Sequence, residues 1–122
     1  MSAVNIGRVL GWLTLAVIVV LSLVPGQDRP HSGLSGQLEH GLAYATNAAL
    51  FALGYRESGG RWRLLLLLCS LAGALELMQL GIPGRTAEFA GFFASALGAS
   101  LGMTAGAGLE ELLRRTGRAR AT

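Results

Sequence analysis

A chain of 122 residues that is 52% apolar, with a mean hydropathy of +0.50, is too short for two globular domains and too apolar for an ordinary soluble one. Its ten basic residues are all arginine against seven acids, and the resulting isoelectric point near 10.0 points to an anionic partner, either nucleic acid or lipid. The lone cysteine, Cys69, excludes an intrachain disulfide, and its place in an apolar run reads as packing.

The first apolar run extends from about Val9 to Val24, with Arg8 ahead of it, no charge inside it and Pro25-Gly26 ending it. It predicts a membrane helix. A cleaved secretory signal is the alternative, against which Leu23-Val24-Pro25 is not a small-x-small cleavage site and further apolar segments follow. Gly26 to Gln37 has loop composition, and Leu38 to Tyr55 predicts a second helix, the least apolar, whose polar members are His40, Tyr44 and Asn47. Arg56 to Arg63, with Gly59-Gly60 and three arginines, reads as a turn. A third run then covers Leu64 to Leu80, with Glu76 its only charge. After the Pro83-Gly84 turn, Glu88 stands in the first turn of a fourth helix reaching about Leu109, and a polar, basic tail over 110–122 ends the chain. The expectation is one all-α membrane domain over 1–122, an integral bundle of four transmembrane helices at about 9–24, 38–55, 64–80 and 88–109.

Arginine in short loops is retained on the cytoplasmic side. Arg8, Arg56, Arg61, Arg63, Arg114, Arg115, Arg118 and Arg120 fall on one side of a four-pass arrangement, and only Arg29 and Arg85 on the other, which predicts both termini cytoplasmic. The basic tail then lies against anionic headgroups, at about 1 kcal/mol per residue near the surface. Membrane lipids are therefore the expected partner. Nucleic acid is not, because apart from Trp62 the basic clusters hold no aromatic residue on which a base could stack.

This topology gathers Gln37, Glu39, His40, Glu76, Gln79, Arg85 and Glu88 at one level, toward the outer face. Glu76 and Gln79, three apart, share a helix face, with Glu76 on the order of 6 Å below the helix end. A carboxylate there needs a partner, and Arg85 or His40 is available to it. His40, Tyr44 and Asn47 form a polar stripe descending from the same level, and Gly91, Ser95, Gly98 and Gly102 form a small-residue face suited to close helix approach. That face reads first as packing within the chain, and the spacing from Gly98 through Gly102 to Gly106 leaves a homodimer open.

Glu76-Leu77-Met78-Gln79, Pro83-Gly84-Arg85 and Ala96-Leu97-Gly98, preceded by His40 and Tyr44, resemble the VanZ-like family of small bacterial membrane proteins over about the last two-thirds of the chain. The resemblance implies a multi-pass protein of the bacterial cytoplasmic (inner) membrane, concerned with the cell envelope and with resistance to glycopeptide antibiotics such as teicoplanin. Where that family usually carries a lysine three residues before the histidine, and an aspartate and an asparagine six and ten after the arginine, this chain has Gln37, Gly91 and Ser95. Glu88 is placed to supply the missing carboxylate. A binding protein tolerates such losses better than an enzyme does.

Three readings follow for the cluster of His40, Tyr44, Glu76, Gln79, Arg85, Glu88 and Ser95. The first is a pocket for an anionic or glycan-bearing envelope lipid, with Arg85 on a phosphate or carboxylate and Glu76, Gln79 and His40 hydrogen-bonding to the headgroup. The second is a membrane enzyme in which Glu76 or Glu88 is base, His40 acid, and Arg85 stabilises developing charge. The third is a structural clasp, most simply a Glu76–Arg85 ion pair. No metal is expected, since His40, His31 and one or two glutamates are too few ligands. No cofactor is expected either, as no phosphate-binding loop, dinucleotide fingerprint or serine elbow occurs.

Overall fold

The computed structural model describes residues 1–28, 30 and 32–121; Arg29, counted above among the loop charges, and His31, weighed as a metal ligand, lie outside the described residues. Among the described residues there are four α-helices and no strand: α1 (Ala3–Leu23), α2 (Gly36–Gly54), α3 (Ser58–Gln79) and α4 (Phe89–Ala121), with a single 3-10 turn at Gly26–Asp28. Helices α1, α3 and α4 are long and apolar enough to cross a membrane. Helix α2 is not among them, because Gln37, Glu39, His40 and Asn47 dilute its apolar content.

Three expected boundaries are corrected. Helix α1 begins at Ala3 and not near Val9, its start capped by the Ser2 hydroxyl, which accepts from the Asn5 N–H at 3.3 Å. Helix α3 begins at Ser58 and not at Leu64, so the turn expected over Arg56 to Arg63 shrinks to Tyr55–Glu57. The Arg61 N–H closes the first helical turn onto the Glu57 carbonyl at 3.0 Å, while the Arg61 guanidinium reaches back to the Ala52 carbonyl at 2.8 Å. Tertiary contact thus overrides the weak helix propensity of Gly59-Gly60. Helix α4, expected to end near Leu109, continues to Ala121 because Glu111 pairs with Arg114 and Arg115 three and four residues on. At 33 residues it is about 50 Å long, well beyond the roughly 30 Å of a hydrocarbon core.

Helix α2 is the centre of the bundle, packed most extensively on α4 and next on α1; α3 is held chiefly by α4. The α2–α4 contact is nearly backbone to backbone. A methyl group at Gly98 or Gly102 would overlap the carbonyls of Gly41 and Ala45, and one at Gly106 would lie 2.7 Å from the Ala49 carbonyl. All three glycines are buried against α2. The face expected to serve packing within the chain, and left open for a homodimer through Gly98, Gly102 and Gly106, is the one that α2 covers here. On the other side of α2, Phe51 sits against Gly11 of α1, and the buried Asn47 amide donates to the Gly11 carbonyl and the Thr14 hydroxyl, both at 2.7 Å. Leu15, Ala48, Leu68, Ala72, Ala99 and Met103 complete the core around them.

At the end of the bundle that carries both termini, arginines cap the last carbonyls of α2. Arg8 donates to Gly54 at 2.8 Å and lies over the Tyr55 ring, beside the Arg61 bond to Ala52. These cations oppose the partial negative charge of the helix end. Glu110 is buried between Arg56 at 2.9 Å and Arg61 at 3.6 Å, tying α4 to the same junction.

Gly102→Val lowers stability by about 1–3 kcal/mol in a detergent thermal melt, whereas Gly108→Ala, with open space around it, is neutral or stabilising by up to about 1 kcal/mol. Glu110→Ala, which leaves the Arg61 guanidinium facing a gap, costs about 3 kcal/mol in the same assay.

Candidate functional site

The α1–α2 and α3–α4 connections meet at the opposite end and are stapled to each other. The Gly26 N–H donates to the Pro83 carbonyl at 3.0 Å, and the chains approach so closely there that a side chain at Gly26 would overlap the Gly84 carbonyl. Gly84 itself turns with φ of +72°, in the left-handed region that glycine adopts without strain. This staple directs Arg85, the next residue, onto the end of α1.

Arg85 donates through Nε to the Val24 carbonyl at 3.0 Å and through a terminal nitrogen to the Leu21 carbonyl. Gln79 donates to the Ser22 carbonyl at 3.0 Å. The last turn of α1, whose carbonyls have no partner within the helix, is thereby satisfied by two side chains from α3 and the loop after it. The Glu76–Arg85 clasp considered from sequence does not form. Instead, one Glu76 carboxylate oxygen accepts the Glu88 backbone N–H at 3.1 Å and the other lies 3.4 Å from His40 Nδ1. Glu88 in turn accepts the Gln37 side-chain amide at 3.0 Å, and Glu39 accepts the Ser32 hydroxyl.

Gly91 makes this arrangement possible. A Cβ there would lie 2.5 Å from the Glu76 carboxylate and 3.4 Å from His40 Nδ1, so the absent side chain is the space that Glu76 fills. A carboxylate from α3 therefore stands against α4 at the position where an aspartate was expected by resemblance. Ser95, one turn further on, donates its hydroxyl to the Gly91 carbonyl at 2.9 Å. Tyr44 is buried, yet its hydroxyl makes no hydrogen bond to the described residues and faces a cavity.

That cavity, about 300 Å³, has Glu39, His40, Glu76, Gln79 and Arg85 around its mouth. Ile18, Ala43, Ala72 and Leu75, deeper along α1, α2 and α3, make its lower part mainly apolar, with Tyr44 and Ser95 as the polar groups among them. A second cavity of about 240 Å³ shares His40, Glu76, Gln79 and Arg85, and adds Gln37, Glu88 and Gly91. All seven residues singled out from sequence, His40, Tyr44, Glu76, Gln79, Arg85, Glu88 and Ser95, line one or other of these two spaces. Ser22 and the α1 carbonyls were missed, because a backbone acceptor at a helix end leaves no mark in side-chain pattern. Among the described residues no three His, Cys, Asp or Glu side chains group as metal ligands.

The site presents Glu39, Glu76 and Glu88 against the Arg85 guanidinium and the His40 imidazole. It offers hydrogen-bond acceptors in excess, with amide and hydroxyl groups between them. No protein-family model, curated protein or solved structure matches the chain.

Gly91→Asp places a side chain and a second negative charge against Glu76 and lowers stability by about 2 kcal/mol. Adding Glu76→Ala empties the contested space, and the double variant recovers part of that loss, a coupling of about 0.5–3 kcal/mol measurable in a double-mutant cycle.

Proposed function

We propose that this chain is a VanZ-like protein of the bacterial cytoplasmic membrane, crossing it four times with both termini inside, and that it binds a glycan-bearing envelope lipid by its headgroup at the outer face. The observation that carries this reading is the 300 Å³ cavity, polar at its mouth and apolar below, opening among helices suited to a membrane. An amphiphile is complementary to both halves; a small polar metabolite is complementary to one.

The fourth crossing is assigned to α2. Its 19 residues span about 28 Å, close to the thickness of the hydrocarbon core, and its polar groups are directed to the bundle interior or to the site, apart from Thr46, whose hydroxyl donates to the Leu42 carbonyl of its own helix. The bias of eight arginines over two sets the orientation. Within the class of lipids considered, the balance of charge favours sugar hydroxyls over a bare phosphate. Three carboxylates accept hydrogen bonds from hydroxyls and repel an anion, and two N–H groups of Arg85 are already bound to the end of α1.

The His40–Glu76 contact favours one second reading, acid–base chemistry on the same headgroup, in which Glu76 orients the imidazole as a proton carrier. One experiment addresses both. Nanodiscs of phosphatidylcholine containing either monoglucosyl-diacylglycerol or phosphatidylglycerol are read by native mass spectrometry. The expected result is preferential retention of the glucosyl lipid at unchanged mass, reduced about tenfold in Glu76→Gln, the weight of one hydrogen bond to a charged group. Equal retention of both lipids, or retention indifferent to Glu76→Gln in folded protein, refutes the headgroup site. A lipid product of altered mass replaces binding with catalysis.

A further inference from the structure

Helices α3 and α4 enclose a third space that the polar site does not use. It is a groove of about 450 Å³, larger than either polar cavity, walled by Leu77, Leu80, Phe89, Phe92 and Phe93. Leu77 is 70%, Leu80 71%, Phe89 85% and Phe93 65% exposed, an apolar surface that none of the described residues covers. Its floor is Gly73, where even a Cβ would come to 3.5 Å from the Phe92 ring. Glu76 and Glu88 also line the groove.

We infer that this groove seats one hydrocarbon chain of the same lipid whose headgroup occupies the polar cavities, so that the ligand passes over Glu76 from one space to the other. The inference rests on the headgroup reading above. Its ground is adjacency: Glu76 lines the groove and both polar cavities, and Glu88 lines the groove and one of them. A headgroup hydrogen-bonded to Glu76 therefore leaves its chain at the mouth of the groove. Both walls belong to helices long and apolar enough to span a membrane, so the groove opens on hydrocarbon. Its volume of about 450 Å³ leaves room for a flexible chain.

The test uses monoglucosyl-diacylglycerol carrying a photoreactive diazirine in one acyl chain, in phosphatidylcholine nanodiscs, with labelled residues mapped by peptide mass spectrometry and retention of the unlabelled lipid measured in parallel. In the wild type the label is expected on Leu77, Phe92 or Phe93. Gly73→Leu fills the groove from its floor and should lower retention about tenfold, the weight of roughly two buried methylenes. Leu77→Trp fills it from an exposed position and should do the same where Gly73→Leu fails to fold.

Labelling confined to Ile18, Leu21 or Leu75, or retention lost in Glu76→Gln but unchanged in both groove variants, overturns the groove and leaves the headgroup site standing. Retention unchanged in all three variants overturns both. A dimer in the native spectrum that Leu77→Trp dissociates also overturns the inference, since the groove is then covered by a second copy.

Discussion

The near-contact of the α2 and α4 backbones sets the geometry on which the rest of this structure depends. In lipid there is little hydrophobic gain in bringing two apolar helices together, so close packing must supply the association. Gly98, Gly102 and Gly106 provide it by letting α4 rest on the carbonyls of Gly41, Ala45 and Ala49. The register that results reaches the site directly. Gly41 follows His40, and with the two helices parallel and Gly41 set against Gly98, Gly91 lies nearer the start of α4, within reach of the His40 side chain, whose Nδ1 would be 3.4 Å from a Cβ there. Glu76 of α3 then enters the space that Gly91 leaves open.

A second constraint comes from helix ends. Buried carbonyls without donors are costly, and more so in a low-dielectric medium. This chain meets the cost with side chains from neighbouring helices. Arg85 and Gln79 satisfy the last turn of α1, while Arg8 and Arg61 satisfy that of α2. The polar cluster therefore has two inseparable roles: the residues that close the end of α1 also wall the cavities. Arg85 is a positioning residue for the loop staple before it is anything else.

The chemistry of the site follows from what remains once those bonds are made. Glu76 touches α2 through His40, α4 through the Glu88 N–H, and three separate spaces. It is the point where a polar chamber meets an apolar groove. The amphiphile we propose as ligand divides into headgroup and chain at that boundary, and in that proposal the excess of carboxylates favours headgroups rich in hydroxyls.

By itself the sequence determined the apolar runs that become four helices, the break at Pro83-Gly84, the shared face of Glu76 and Gln79, and the small-residue stripe of α4. These are legible because they depend on neighbours within a turn or two along one chain segment. Only the tertiary structure decided that Arg85 goes to α1 and not to Glu76, and that α3 starts at Ser58. It alone decided that the glycine stripe is covered by α2 and that the space left at Gly91 holds a carboxylate from another helix. Each of these outcomes turns on a backbone carbonyl or a missing side chain meeting a partner far away in sequence. Neither leaves a periodic signal, and so neither could be read before the helices were packed.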